Sequence, residues 1–281
     1  MLPVHLPPML SWHEFVESAT APPTIDAPGS RETGTDWPGA TWEEALRLAV
    51  DGWPVALEEA GITVDELRAG AGLGHQVTEL EPSWDVTGSE VDIGAYLSGV
   101  PECMVDAIPR QISRRGKVVT FLIPAAYSNR IAHDVIINRG LALVTLCAAI
   151  IDAGHSVEVW SGFTGMFTIA REKLRTHAVA RVISAGEPLD VGRLIFGVAH
   201  PAMLRRLWLG VWDAQPAAVA QTVNDHNFGI ACDCRPDDLP AEVTDPYVFP
   251  YLTEQDRQWD DLPTALDWAK GLFGELGLIQ H

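Results

Sequence analysis

Apolar positions are concentrated in the second half of the chain, and their spacing changes from element to element. Lys117–Ile123 (KVVTFLI) is a continuous apolar, β-branched run stopped by Pro124. That is the pattern of a strand buried on both faces, as in a parallel sheet. After a polar loop, residues 134–152 are apolar on nearly every side in their second half, which predicts a helix wedged between a sheet and an outer layer. Gly154 ends it, and Ser156–Trp160 (SVEVW) predicts a second strand. Strand, long helix, glycine and strand make a βαβ unit, whose crossover is right-handed because a twisted sheet accepts the helix that way. Ala178–Ile183 and Phe228–Cys232 predict two further strands. Residues 189–200 and 202–211 read as helical pieces broken by Pro201, and 264–273 as a closing amphipathic helix. This alternation predicts an α/β domain over residues 111–281, with a doubly wound, mostly parallel, Rossmann-like sheet.

Upstream the pattern is different. Ser11–Glu14, Thr41–Glu44 and Thr63–Glu66 each match a capping box, in which two side chains satisfy exposed amide donors at a helix start. Residues 20–39 are rich in Pro, Gly, Thr, Ser and Asp without apolar period, and read as an irregular connection. Ser89 is placed to cap a short helix through Tyr96 and Leu97, ended by Gly99 and Pro101. Residues 1–110 are therefore expected to form a mainly helical extension packed on the larger domain, without a core-sized apolar set of their own.

Composition narrows the functional classes. With 281 residues, 47% of them hydrophobic and ten of them Trp, the chain can bury one large core. Its 19 Lys and Arg against 38 Asp and Glu give a net charge of −19, which repels phosphate backbones, so nucleic acid is not an expected partner. The basic strip Arg110, Arg114, Arg115 and Lys117 reads as a solvated approach to a strand. The apolar run Leu141–Ile151 is shorter than the ~20 residues a bilayer crossing needs, so no membrane partner is expected. Residues 1–10 lack the features of a secretion signal, and four Cys (103, 147, 232, 234) make no disulfide framework. A cytoplasmic location is expected.

Open α/β sheets place ligands where strand carboxyl ends meet helix N-termini. The loop Pro124–Asp134 occupies that position, with Ser128, Asn129, His133 and Asp134 as candidate ligand-binding residues. It lacks the glycine fingerprints of dinucleotide and P-loop sites, and no cofactor is expected. The competing reading is that Ser128 and Asn129 turn the chain and cap the helix. His200, ahead of Pro201, with Arg205 and Arg206 one turn later, is a candidate anion site. The alternative is a helix corner whose arginines pair with the acidic surface. Cys232-x-Cys234 is poor spacing for zinc, so no metal is expected. Asp237–Asp238 and Asp260–Asp261 read as solvated turns.

Over residues 117–281 the order of elements resembles a von Willebrand A-type domain. Working domains of that kind carry D-x-S-x-S after the first strand, and Pro124, Ala126 and Ser128 stand at those places. Only Ser128 offers a side-chain oxygen, so the resemblance implies the fold and a degenerate metal loop. A second resemblance rests on Trp37–Gly39, Thr41–Ala45, Gly52–Trp53 and residues 84–104, 137–160 and 186–207. These resemble proteins without assigned activity carried by tailed phages and their actinobacterial hosts, implying the cytoplasm of a bacterial or phage-infected cell. The expected function is non-enzymatic: an interaction or scaffold protein whose partner is another protein, with no catalytic residue assigned. The alternatives are an enzyme using the 124–134 loop, with His133 and Asp134 as acid–base groups, and a metal-dependent A-type ligand-binding domain.

Overall fold

Side-chain caps set the first elements of the computed structural model, which describes residues 5–53, 63–70, 79–110, 116–128 and 130–278. Ser11 accepts the Glu14 amide at 3.1 Å to start α1 (Trp12–Thr20), and Thr41 accepts that of Glu44 at 3.1 Å to start α2 (Trp42–Asp51). The box before α3 (Val64–Gly70) closes reciprocally, with Thr63 N to Glu66 at 2.7 Å and Glu66 N to Thr63 at 3.1 Å. Here the mainly helical expectation meets its limit. β1 (Glu79–Asp85), β2 (Glu90–Val91) and, after the one-turn helix α4 (Ile93–Leu97), β3 (Met104–Arg110) form an antiparallel sheet in the order β1-β3-β2. Cross-strand pairing rather than propensity makes β1, whose sequence ELEPSWD is weakly β-forming. Asp92, not Ser89, caps α4 by accepting the Ala95 amide at 3.0 Å.

The main sheet begins with β4 (Val118–Pro124). The βαβ unit forms as the pattern requires: β4, the helix α5 (His133–Asp152) and β5 (Ser156–Ile169), with β4 and β5 parallel. The next strand departs from it. β6 (Glu172–Ile183) runs antiparallel to β5 in a long hairpin closed at Ala170 and Arg171, both with positive φ. Neither turn residue is Gly or Asn, so no sequence signal marks the turn, and β5 extends nine residues past the predicted Trp160. The rest follows as α6 (Val191–Ala199), a π-helical turn Met203–Trp208, α7 (Leu209–Asp213), α8 (Ala217–Asp225), β7 (Ile230–Ala231), β8 (Tyr247–Val248) and α9 (Leu262–Glu275). The strand order is β6-β5-β4-β8, with β8 parallel to β4 and β7 antiparallel to the far half of β5.

Strand alternation separates two unlike faces. Phe121, Ile123, Val157 and Val159 pack with α5, α6 and α9, while Phe163, Ala178 and Ala180 meet α1, α2 and the Met203–Trp208 turn. Leu122, Trp160 and Val179 point the other way, against Cys234 and Leu239. The sheet is thus mixed, with helices against one face and the 232–243 loop against the other. A doubly wound sheet would carry helices on both, so the expectation holds only as far as an α/β fold with parallel strands.

By length and composition α5 is apolar enough to cross a membrane. In this fold it is a core helix, with Ile136 and residues 139–150 buried. It meets the end of α6 at close range, because a Cβ on Gly140 would lie 2.0 Å from that of Ala199. Gly140→Ala is expected to cost about 1–3 kcal/mol through overpacking. The control Gly271→Ala, in α9 with open space around it, is expected to gain roughly 0.4–1 kcal/mol. Chemical denaturation of the two variants checks the opposite signs.

Candidate functional site

Past Pro124 the chain leaves the sheet in steps. The Ala125 amide still pairs with the Gly162 carbonyl at 2.8 Å, and the Tyr127 hydroxyl donates to the Pro201 carbonyl at 3.2 Å. The Arg205 guanidinium lies 5.2 Å from the Tyr127 ring, and burial pushes the Tyr127 hydroxyl well above the usual phenol range. Ser128 then turns the chain: its hydroxyl accepts the Arg130 amide at 3.3 Å and its carbonyl the Ile131 amide at 3.2 Å. It does not cap α5, whose N-cap is Ala132 without a side-chain bond. His133 opens α5 with Nε2 3.2 Å from the Trp37 carbonyl and 3.4 Å from Arg205 Nη1. Asp134 is exposed in the first turn of the helix, and Asn129 lies outside the described residues.

The second candidate group divides. His200 is buried; its Nδ1 accepts the Ala202 amide at 3.0 Å, and its ring lies edge-on to Trp53 at 4.5 Å. Arg205 and Arg206 do not pair with the acidic surface, because both are 1% exposed. Both stand on the π-helical turn Met203–Trp208, all six residues of which are buried. Arg206 donates to the carbonyls of Ala40 (3.1 Å), Ser30 (3.0 Å), Glu32 (2.7 Å) and Gly34. Its bonds are consumed in holding residues 30–40, so it is a structural clamp and not a ligand group. Arg205 donates to the Trp37 carbonyl, with its guanidinium 4.7 Å from the Trp37 ring and 5.2 Å from that of Tyr127. The structure therefore unites Tyr127, Ser128, His133 and Arg205 at one end of the sheet and joins to them Trp37, which the sequence reading left unassigned.

Beside this group opens a cleft of about 780 Å³, walled by Trp37, Tyr127, Phe163, Phe228 and Tyr251, with Ser128 and Thr164 among its polar atoms. Burial lowers the Arg205 pKa from its ordinary value. At the opposite sheet face, Arg175 pairs with Asp238 (Nη1 to Oδ1, 2.9 Å), which is buried and not the solvated turn expected of Asp237–Asp238. Cys234 packs against Leu122 and Trp160, and burial pushes its thiol up. Among the described residues no three His, Cys, Asp or Glu side chains are grouped to hold a metal ion.

A second feature stands on α4. Ile93, Tyr96 and Leu97 are 69, 64 and 78% exposed, and their spacing of three and four places them on one side of the helix turn. Trp84, Val86, Val91 and Val100 are also exposed nearby in the chain.

Residues 2–280 match a family described as "Domain of unknown function (DUF7192)". No curated protein and no solved structure matches the chain.

The geometry around His200 sets a pH dependence. Accepting the Ala202 amide requires an unprotonated Nδ1, and burial, with His133 nearby, lowers the His200 pKa to about 4 from 6.5. The unfolded chain thus binds the extra proton first as pH falls below about 6.5, so stability is full above that pH and declines toward about 4. Melting temperatures from pH 7.5 to 4.5 are expected to fall, and to fall less steeply in His200→Gln. Parallel curves would assign the acid sensitivity elsewhere.

Proposed function

The chain belongs to the DUF7192 family, whose description carries no activity, and from its own surface we propose a non-enzymatic docking protein that binds a protein partner through α4. The observation that carries this reading is the outward apolar stripe Ile93, Tyr96 and Leu97. Asp92 caps the helix at one end, and at the other Gly99, with φ 72°, and the Val100 amide close it on the carbonyls of Tyr96 and Ala95. A capped turn holds its side chains in a fixed array. Contiguous exposed apolar side chains of this kind mark interaction sites, and Tyr is enriched at their cores.

Charge selects the partner. Between Arg68 and Arg110 the chain has no Lys or Arg, while Glu79, Glu81, Asp85, Glu90, Asp92, Glu102 and Asp106 fall in that interval. A second copy would bring like charges together, so the occupant is a protein with an apolar patch rimmed by Lys and Arg. Against the enzymatic alternative, which uses His133 and Asp134 as acid–base groups, the His133 Nε2 is engaged with the Trp37 carbonyl and Asp134 is exposed in the first turn of α5.

The test compares wild type with the triple variant Ile93→Ser, Tyr96→Ser, Leu97→Ser as immobilised bait in extracts of producing cells, alongside light scattering of each protein alone. The expected result is a monomer that enriches basic proteins, with enrichment lost in the variant and on raising salt from 0.1 to 0.5 M. An unchanged capture profile, or a wild-type dimer broken by the variant, overturns it.

A further inference from the structure

Among the buried arginines of the described residues, Arg205 is the one with two guanidinium nitrogens lacking a hydrogen-bond partner. Arg175, Arg181 and Arg193 each meet a carboxylate, and Arg206 meets four carbonyls. Arg205, 1% exposed, uses Nη1, on the Trp37 carbonyl and beside His133; its Nε and Nη2 have no hydrogen-bond partner among the described residues. Those two nitrogens are not a random pair. They form one edge of the planar guanidinium, the edge whose two parallel N–H bonds match the two oxygens of a carboxylate. A buried guanidinium with an unused edge is costly, and a ligand that completes the edge removes that cost.

The surroundings point to where that ligand enters. The rings that flank the guanidinium, Trp37 and Tyr127, are both walls of the 780 Å³ cleft. Arg205 itself does not line the cleft; of the two rings between, Tyr127 is held by its bond to Pro201, whereas Trp37 is 43% exposed and is the one free to swing aside. The remaining wall is largely aromatic, with Phe163, Phe228 and Tyr251, and the volume lies within the range of small-molecule sites. A single guanidinium edge neutralises one negative charge. Glu32 also lines the cleft, and the chain carries −19 overall, which disfavours polyphosphates and other multiply charged anions.

We propose that the Trp37–Tyr127 end of this cleft binds a small organic acid, its carboxylate on the Nε–Nη2 edge of Arg205 and its apolar body against the aromatic wall. This site is separate from α4 and stands whether or not α4 docks a partner. Isothermal titration of the full chain with 3-phenylpropionate, its neutral amide and 2-phenylethylphosphonate tests it. Saturable binding of the carboxylate is expected, about ten-fold or more above the amide and the phosphonate. Arg205→Lys, which keeps the charge but loses the fork, should weaken the carboxylate by a similar factor, and Trp37→Leu should change its affinity while leaving that of the amide nearly unaltered. Absence of saturable binding of the carboxylate by wild type up to about 10 mM overturns the proposal. So does amide or phosphonate binding as strong as that of the carboxylate, a comparison that needs no variant if Arg205→Lys fails to fold.

Discussion

Two neighbouring guanidinium groups buried on one helical turn are the constraint around which the rest of this fold is arranged. A charge taken out of water must recover its solvation from the protein or lose its ionised state. For Arg206 the recovery comes from four backbone carbonyls, those of Ser30, Glu32, Gly34 and Ala40. The requirement runs both ways. A segment with little regular structure would leave its carbonyls to water, and Arg206 gives them fixed donors instead. Asp213, seven residues on and also buried, does the same for the opposite polarity: it accepts the Ser30 amide at 2.9 Å and the Asn224 side-chain amide at 2.7 Å.

From these charges follows the position of the N-terminal helices. With residues 30–40 tied to the turn, α1 and α2 are brought against the same helical layer, where Phe15 lies 4.9 Å from Trp208 and the Trp12 indole donates to the Ala49 carbonyl at 2.8 Å. Trp208 in turn donates to Ser161 on β5 at 3.1 Å, linking turn and sheet. Tying the segment also sets the Trp37 carbonyl where Arg205 and His133 meet it. Structural clamp and candidate site are therefore adjacent uses of one dipeptide.

What the sequence makes legible follows from the range over which each signal acts. The βαβ unit and the helix caps are local: apolar runs and short capping spacings read directly, and Ser11, Thr41 and Thr63 all cap as their spacing requires. The β5–β6 hairpin was not legible because Ala170 and Arg171 adopt positive φ without a glycine. Nor was the one-sided helical layer, because alternation along a strand does not say what covers each face. His133 and Arg205 could be named singly, yet their meeting depends on Trp37, 168 residues from Arg205 in the chain. Arg206 was readable as a cation near a helix start, but the carbonyls that consume it belong to a stretch whose composition signals only irregularity. Asn129 and the basic residues Arg114 and Arg115 lie outside the described residues.

The claim that buried charge organises the fold can be put to one measurement: amide hydrogen exchange across residues 28–42 in wild type and in Arg206→Met, which keeps an apolar stem of similar length and removes every donor. Truncating one partner of a buried charged network costs roughly 3–5 kcal/mol. The account predicts that protection in this segment is lost first and that global stability falls by about that amount. A variant that keeps wild-type protection across the segment, with stability within about 1 kcal/mol of wild type, would contradict it.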